Sequence, residues 1–247
     1  MRMQPIAGEV CAVCGERVLS SYAERDADGL RRCPVCRRVD HPFERAVAYG
    51  SYEGGLRELI HLLKYNGVHP AASVLGRMLG DAVAKLEPVF GEAAVLIIPV
   101  PLFKAKRRQR GFNQAELIAS TALKQLGARL ELATGILERN RDTHSQIGLT
   151  SHQRRENLRG AFSVPGALEV TGREVLLVDD VYTTGTTVSE CARVLRRAGA
   201  AKVWVATVAR TLKDTGFKIS GFQGFKVETG SEEPEGTEAI NLETLKH

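Results

Sequence analysis

The hydrophobic positions of this 247-residue chain follow two rhythms. Apolar runs at Val95-Leu-Ile-Ile98, at Val175-Leu-Leu-Val178 and from Lys202 to Ala209 read as strands covered on both faces, as in the middle of a parallel sheet. Phe43 to Tyr52 alternates as a short hairpin or strand that Gly54-Gly55 breaks. A further strand is expected near Ile136-Leu137, and an edge strand over Ala161–Val164. The stretches between have the helical period. Leu56, Leu59, Ile60 and Leu63 make one stripe, stopped at Asn66-Gly67, and a second helix runs from about Pro70 to Leu86. Ala115, Ile118, Ala119, Ala122 and Leu126 mark a third. Val188, Cys191, Val194, Leu195 and Ala198 mark a fourth that starts near Thr186. Strands alternating with helices predict an α/β fold, a parallel sheet flanked by helices.

In such sheets ligands bind beyond the carboxyl ends of the strands. Two acids, Asp179 and Asp180, stand where the Val175 strand is expected to end, followed by Thr183-Thr184-Gly185-Thr186-Thr187 and then a helix. A turn entering a helix N-terminus offers N–H groups and a favourable dipole to an anion. Gly185 lets the backbone approach a phosphate, and the four threonine hydroxyls can donate to it. The acids would repel that phosphate but suit an adjacent diol or a metal ion. A ligand with a phosphate at one end and sugar hydroxyls at the other fits the whole stretch. The chain has no G-x-x-x-x-G-K-[ST], so the nucleotide-triphosphatase reading of an apolar strand ending in Asp-Asp lacks its main element.

A second candidate follows the Val95 strand. Pro99-Val100-Pro101 ends it, and Lys104 to Arg110 then carries five basic residues before Gly111-Phe112. The basic run is expected as a loop on the same rim as Asp179 and Asp180. Arginine forks such as those of Arg108 and Arg110 suit pyrophosphate oxygens. The competing readings are a solvated basic loop and a nonspecific nucleic-acid patch. Placement between a strand's carboxyl end and a helix favours an anion site.

Cysteine spacing adds a third. Cys11-Ala-Val-Cys14 and Cys33-Pro-Val-Cys36 form two C-x2-C pairs with the separation of a structural zinc site. Four thiolates complete a closed tetrahedron, so this metal is expected to stabilise structure and not to perform chemistry. Two disulfides and a redox pair are the weaker alternatives. Cys191 lies on the apolar stripe of the last helix and reads as a small core residue.

Composition changes the picture little: 43% hydrophobic and 26% charged residues are ordinary for a globular protein. The net charge of +5 is uneven, because residues 211–247 hold four Lys against seven Asp and Glu and leave +8 on the body. That body suits an anionic partner such as a polyphosphate or nucleic acid. The first nine residues contain no apolar h-region and no run approaches transmembrane length, so a cytoplasmic protein with no membrane insertion and with reduced cysteines is expected. The expected organisation is a zinc-ribbon module over 1–42, an α/β domain over 43–210, and a Gly- and Glu-rich tail over 211–247 that reads as disordered.

The stretch Val175–Thr187 resembles the phosphoribosyl-pyrophosphate (PRPP) motif of type I phosphoribosyltransferases. By that resemblance Asp179 and Asp180 hold the ribose 2′- and 3′-hydroxyls and Thr183 to Thr187 form the 5′-phosphate loop. Pro99 to Pro101 with Gly111-Phe112 resembles a pyrophosphate loop. The polar segment from Arg139 to Asn157 occupies the place of the flexible catalytic loop; His144 and His152 within it read as exposed residues before general bases. Lys64-Tyr65-Asn66-Gly67 could belong to a hood over the acceptor. The order of the cysteine pairs, Lys64–Gly67, Pro99–Pro101, Arg110-Gly-Phe-Asn-Gln114, Thr143, Gln146, Arg155, Asn157, Phe162 and the PRPP motif resembles the ComF family of competence-associated proteins over about residues 9 to 210. His144-Ser145 departs from the proline-containing version of that loop. The resemblance implies PRPP and Mg2+ as ligands, structural Zn2+, and a role linked to DNA uptake. It leaves open a noncatalytic PRPP sensor or a single-stranded-DNA-binding factor that works with a competence helicase or ATPase.

Overall fold

The computed structural model describes residues 3–18, 25, 29–143 and 150–212, all within one compact unit, Met1–Lys213. The 211–247 tail, His144 and Gln146 lie almost wholly or wholly outside the described residues. In chain order the elements are β1 (Arg45–Ser51), α1 (Gly54–Asn66), α2 (Ala71–Val83), β2 (Val95–Pro99), α3 (Lys104–Arg110) and α4 (Gln114–Leu123). There follow β3 (Leu130–Leu132), β4 (Glu138–Arg139), α5 (Ser151–Leu158), β5 (Phe162–Ser163), β6 (Glu174–Tyr182), α6 (Thr186–Arg197) and β7 (Lys202–Arg210).

Five strands pair in parallel in the order β1-β7-β6-β2-β3, so their carboxyl ends share one edge. The three expected buried strands are its centre. Val175 to Val178 on β6 are all buried because both faces of the sheet are covered. One face packs against α1, α2 and α4 through Leu56, Ile60, Leu63, Leu75, Leu79 and Ile118. The other packs against α6 and the N-terminal cysteine segment through Val188, Cys191, Leu195, Cys11 and Cys33. Each large apolar side chain buried this way contributes about 1.5–3 kcal/mol.

Within Phe43–Tyr52 the chain forms one strand, β1, and Gly54-Gly55 begin α1. Three local expectations change. Ile136-Leu137 is buried but forms no strand; the strands lie on either side of it, at β3 and at β4, which pairs antiparallel with β5. The basic run Lys104–Arg110 is not a loop but the helix α3. It lacks an apolar stripe because none of its residues is buried, yet Lys, Ala, Arg and Gln are strong helix formers and its last-turn arginines suit the dipole. Finally, β6 does not stop before the acids: Asp179 and Asp180 belong to it, and it continues to Tyr182 beside β7. Among the described residues no peptide bond is cis and no helix is long and apolar enough to cross a membrane.

Candidate active site at the carboxyl edge of the sheet

Asp179 and Asp180 project from the end of β6 into different surroundings. The Asp180 side chain is almost fully buried and forms an ion pair with the Nζ of Lys64. Lys64 arrives there because Leu56, Ile60 and Leu63 bind α1 to the sheet, while its last turn closes on Gly67, whose left-handed backbone (φ 64°) returns its N–H to the Leu62 carbonyl. Asp179 Oδ1 accepts the backbone N–H of Asp180 at 2.8 Å.

Burial pushes both carboxyl groups up, and their charges oppose each other. The Lys64 ammonium decides the outcome: it holds Asp180 below the usual carboxylate range, while burial and the Asp180 charge push Asp179 well above it. Lys64 is raised in turn, burial opposing and Asp180 and Asp179 prevailing. The site thus holds one firmly ionised acid beside one that resists ionisation.

The phosphate-loop candidates follow directly. Thr183 and Thr184 are exposed, the Thr184 and Thr186 hydroxyls lie 2.8 Å apart, and Gly185 caps the twelve-residue helix α6 with φ 74°. A Cβ built on Gly185 would lie 2.5 Å from Cζ of Tyr182, so glycine is required by contact as well as by backbone conformation.

Cations gather on the facing side. The Lys106 ammonium is pushed down by partial burial and by the charges of Arg110, Arg139 and Lys64, which places the four within one electrostatic neighbourhood. Arg110 lies over the exposed ring of Tyr65, 5.7 Å from its centroid, and donates to Gln114 Oε1; Arg108 is exposed. Arg139 rests on the Phe162 ring at 5.5 Å, donates to Thr143 Oγ1, and feels the charge of Asp179. The Pro99-Val100-Pro101 turn is pinned between them. Val100 N–H donates to the Val178 carbonyl at 2.8 Å. Asn113 Nδ2 donates to the Val100 carbonyl at 3.0 Å while its Oδ1 caps α4. A cavity of about 180 Å³ opens here, bounded in part by Pro99, Pro101, Asn113, Leu137 and Arg139.

The structure therefore brings Asp179, Asp180, the Thr183–Thr187 loop, the proline turn and Arg110 to one edge, and leaves Arg108 on the solvent side of α3. Sequence reasoning undervalued Lys64, Lys106 and Arg139. Lys64 ends a helix that starts at the same sheet edge as the acids, which was its one available signal. Asn113, a polar residue at a helix start, was readable as a cap but not as the anchor of the proline turn. His61 and His69 are packing residues, against Tyr52 Oη at 3.1 Å and the Phe112 ring at 4.7 Å.

The four paired cysteines are buried, and their sulfur atoms all lie within 4.8 Å of one another. Cys14 and Cys33 Sγ are 3.7 Å apart, too far for a disulfide and close to the edge of a tetrahedron with Zn–S bonds of about 2.3 Å. The donor set fits a four-thiolate zinc site.

Parallel sheet, acid pair and glycine-capped threonine loop together define a type I phosphoribosyltransferase-like domain. The Phosphoribosyl transferase domain model matches residues 113–236. The DNA utilization protein YhgH of Escherichia coli O6:H1 is 34% identical, with 82% of this chain and 91% of the relative aligned. Competence protein F of Haemophilus influenzae is 33% identical over 81% of this chain and 84% of its own length. Among solved structures, glutamine phosphoribosylpyrophosphate (PRPP) amidotransferase from B. subtilis is 26% identical, with a TM-score of 0.34, over 56% of this chain and 26% of that one, so the chain spans about a quarter of that enzyme. The chain belongs to the phosphoribosyl transferase domain family, in its ComF branch.

Proposed function

We propose that the protein binds PRPP with Mg2+ at this edge and transfers its phosphoribosyl group with release of pyrophosphate, in a process linked to DNA uptake or use. The observation that carries the reading is the opposed charge pattern. An acid pair for a diol, its Asp180 held by Lys64, a helix N-terminus for the 5′-phosphate and a cluster of Lys106, Arg110 and Arg139 for pyrophosphate meet at one sheet edge. Displacement at ribose C1 develops positive charge on the sugar and negative charge on the leaving group. Asp179 and Asp180 orient the ribose by accepting its hydroxyls. The fixed cations stabilise the departing pyrophosphate without reorganisation. Carboxylate oxygens are a fitting donor set for Mg2+, which would supply further charge neutralisation on the phosphate oxygens. Zn2+ on Cys11, Cys14, Cys33 and Cys36 has a structural role, and the zinc-ribbon module at 1–42 serves the domain at 43–210.

Calorimetric titration with PRPP and Mg2+ tests this. Wild type binds, Asp179→Asn and Asp180→Asn lose affinity, and pyrophosphate appears when the acceptor base is present. Wild type that binds no PRPP overturns the proposal. Binding without pyrophosphate release across the common bases favours a sensor.

A second reading draws on the names of the relatives and on another surface. His41, Pro42, Glu44, Arg193, Arg196 and Arg197 line an open depression of about 490 Å³ away from the acids. Its arginines suit the phosphates of single-stranded DNA, with a partner ATPase acting alongside. Salt-dependent DNA binding that survives Asp179→Ala and Asp180→Ala supports this reading; DNA binding abolished by those changes opposes it.

A further inference from the structure

Tyr182, against which Gly185 is packed, is itself held from behind. It is buried, and the guanidinium of Arg210 lies over its ring with Cζ 4.8 Å from the centroid. Strand register puts Arg210 beside Tyr182 at the ends of β7 and β6, and Thr211 N–H donates to the Tyr182 carbonyl at 2.9 Å. The guanidinium is gripped from the other side by the first cysteine turn. Its Nη1 donates to the carbonyl of Cys14, a member of the four-thiol cluster, and its Nη2 pairs with the Glu16 carboxylate at 2.8 Å. Arg210 and Glu16 are only 3% and 7% exposed. The turn is in turn fastened to β1, where Ala46 N–H donates to the Val13 carbonyl at 2.6 Å, and closed on itself by Cys11 N–H to the Glu16 carbonyl at 2.7 Å.

An unbroken line of contacts thus runs from the thiol cluster through Arg210 and Tyr182 to Gly185. Neither middle member has slack. A buried guanidinium that loses its carboxylate and carbonyl partners is an uncompensated charge and must move toward water. A Tyr182 ring released from Arg210 has little room toward Gly185, where even one added Cβ would collide with it. Whatever orders the Cys11–Glu16 turn therefore also orders the threonine loop.

We propose that Arg210 and Glu16 are positioning residues that couple occupation of the four-cysteine site to phosphate-ester binding at Thr183–Thr187. The inference rests on reading that loop as the PRPP 5′-phosphate site. Coupling of this kind is reciprocal: the factor by which zinc strengthens PRPP binding is the factor by which PRPP strengthens zinc binding. The metal site then sets the affinity of the phosphate loop in addition to folding the N-terminal segment.

The test measures both directions on the full chain. Zinc transfer to a zinc-selective chromogenic chelator is followed with and without PRPP and Mg2+, and PRPP affinity is measured by calorimetry. In wild type, saturating PRPP raises zinc affinity on the order of tenfold. Glu16→Gln, which keeps all four cysteines, retains about one zinc per chain, binds PRPP several-fold more weakly than wild type, and loses the effect of PRPP on zinc transfer. Glu16→Asp restores part of both. Zinc transfer indifferent to PRPP, in a protein that binds PRPP, overturns the coupling alone, as does Glu16→Gln that binds PRPP as tightly as wild type with the PRPP effect on zinc intact. Wild type that fails to bind PRPP removes the reading of the loop and the coupling with it.

Discussion

Asp179 and Asp180 are adjacent in sequence yet do opposite things to stability. Asp180, held below the usual range by Lys64, stabilises the fold at any pH above the unfolded carboxylate value, and this contribution is lost as pH falls through its own lower value. Asp179 is raised, so the folded state binds a proton that the unfolded chain has released. Its contribution is fully present below the unfolded value and is lost as pH climbs from there through its folded value. Asp179→Asn is therefore expected to raise the unfolding free energy at pH 7 by on the order of 1 kcal/mol while abolishing PRPP binding. The difference in Tm between variant and wild type should shrink as pH is lowered; a constant difference contradicts the assignment. Asp180→Asn goes the other way. It leaves the Lys64 ammonium buried without a counter-charge, and denaturant titration should show a loss of about 3–5 kcal/mol. The double change Lys64→Met/Asp180→Asn should recover most of that loss.

Helix and strand ends determine which charges meet. α1 contributes Lys64 from its last turn, α6 presents its N-terminus to the loop, and α3 carries its cations beside a proline turn that Asn113 anchors. Gly185→Ala places a methyl group into the Tyr182 ring and asks a non-glycine residue to hold a left-handed backbone, which costs about 1–3 kcal/mol before the collision is counted. Circular dichroism melting and PRPP titration should show a lower Tm and lost binding together. Lys106→Met removes a cation already disfavoured by its neighbours, so it should leave the fold as stable or more so while weakening PRPP binding by roughly tenfold to a hundredfold, the value of one charge-assisted hydrogen bond. Legibility divided along the same lines. The central strands and the acid–threonine stretch were readable because continuous apolar runs and a long local pattern carry them. Helix α3 was not, since nothing in it is buried and periodicity therefore has nothing to report. β3 was missed and β4 was expected slightly early, at Ile136-Leu137, because strands of three residues or fewer show no period. The Lys64–Asp180 pair was invisible for a different reason: it joins residues from two elements, and only the sheet order makes them neighbours.

Across the molecule, the cysteine segment is part of the fold's interior and not an appendage. Cys11, Cys14, Cys33 and Cys36 share one apolar cluster with Val188, Leu195 and Val205. Metal analysis should find about one zinc per chain. Cys33→Ala or prolonged chelation should lower Tm and expose dye-binding apolar surface, a larger effect than loss of an isolated flap would produce. The C-x2-C spacing announced this site plainly, whereas its attachment to the sheet, through Arg210 at the far end of the described chain, had no sequence signal.

The strand order carries a consequence for how the protein comes to exist. Among the described strands β1 is hydrogen-bonded within the sheet to β7 alone, and Arg45 faces Trp204 across that pairing. Among the described strands the first in chain order must wait for the last, a delay of roughly 10–30 s at ordinary elongation rates. The cysteine turns can close around an ion early, because their partners are near in sequence, and the first of them can bond to β1 through Ala46, but its buried ion pair with the sheet waits for Arg210. A chain cut short anywhere before β7 thus leaves the β1 backbone without its sheet partner.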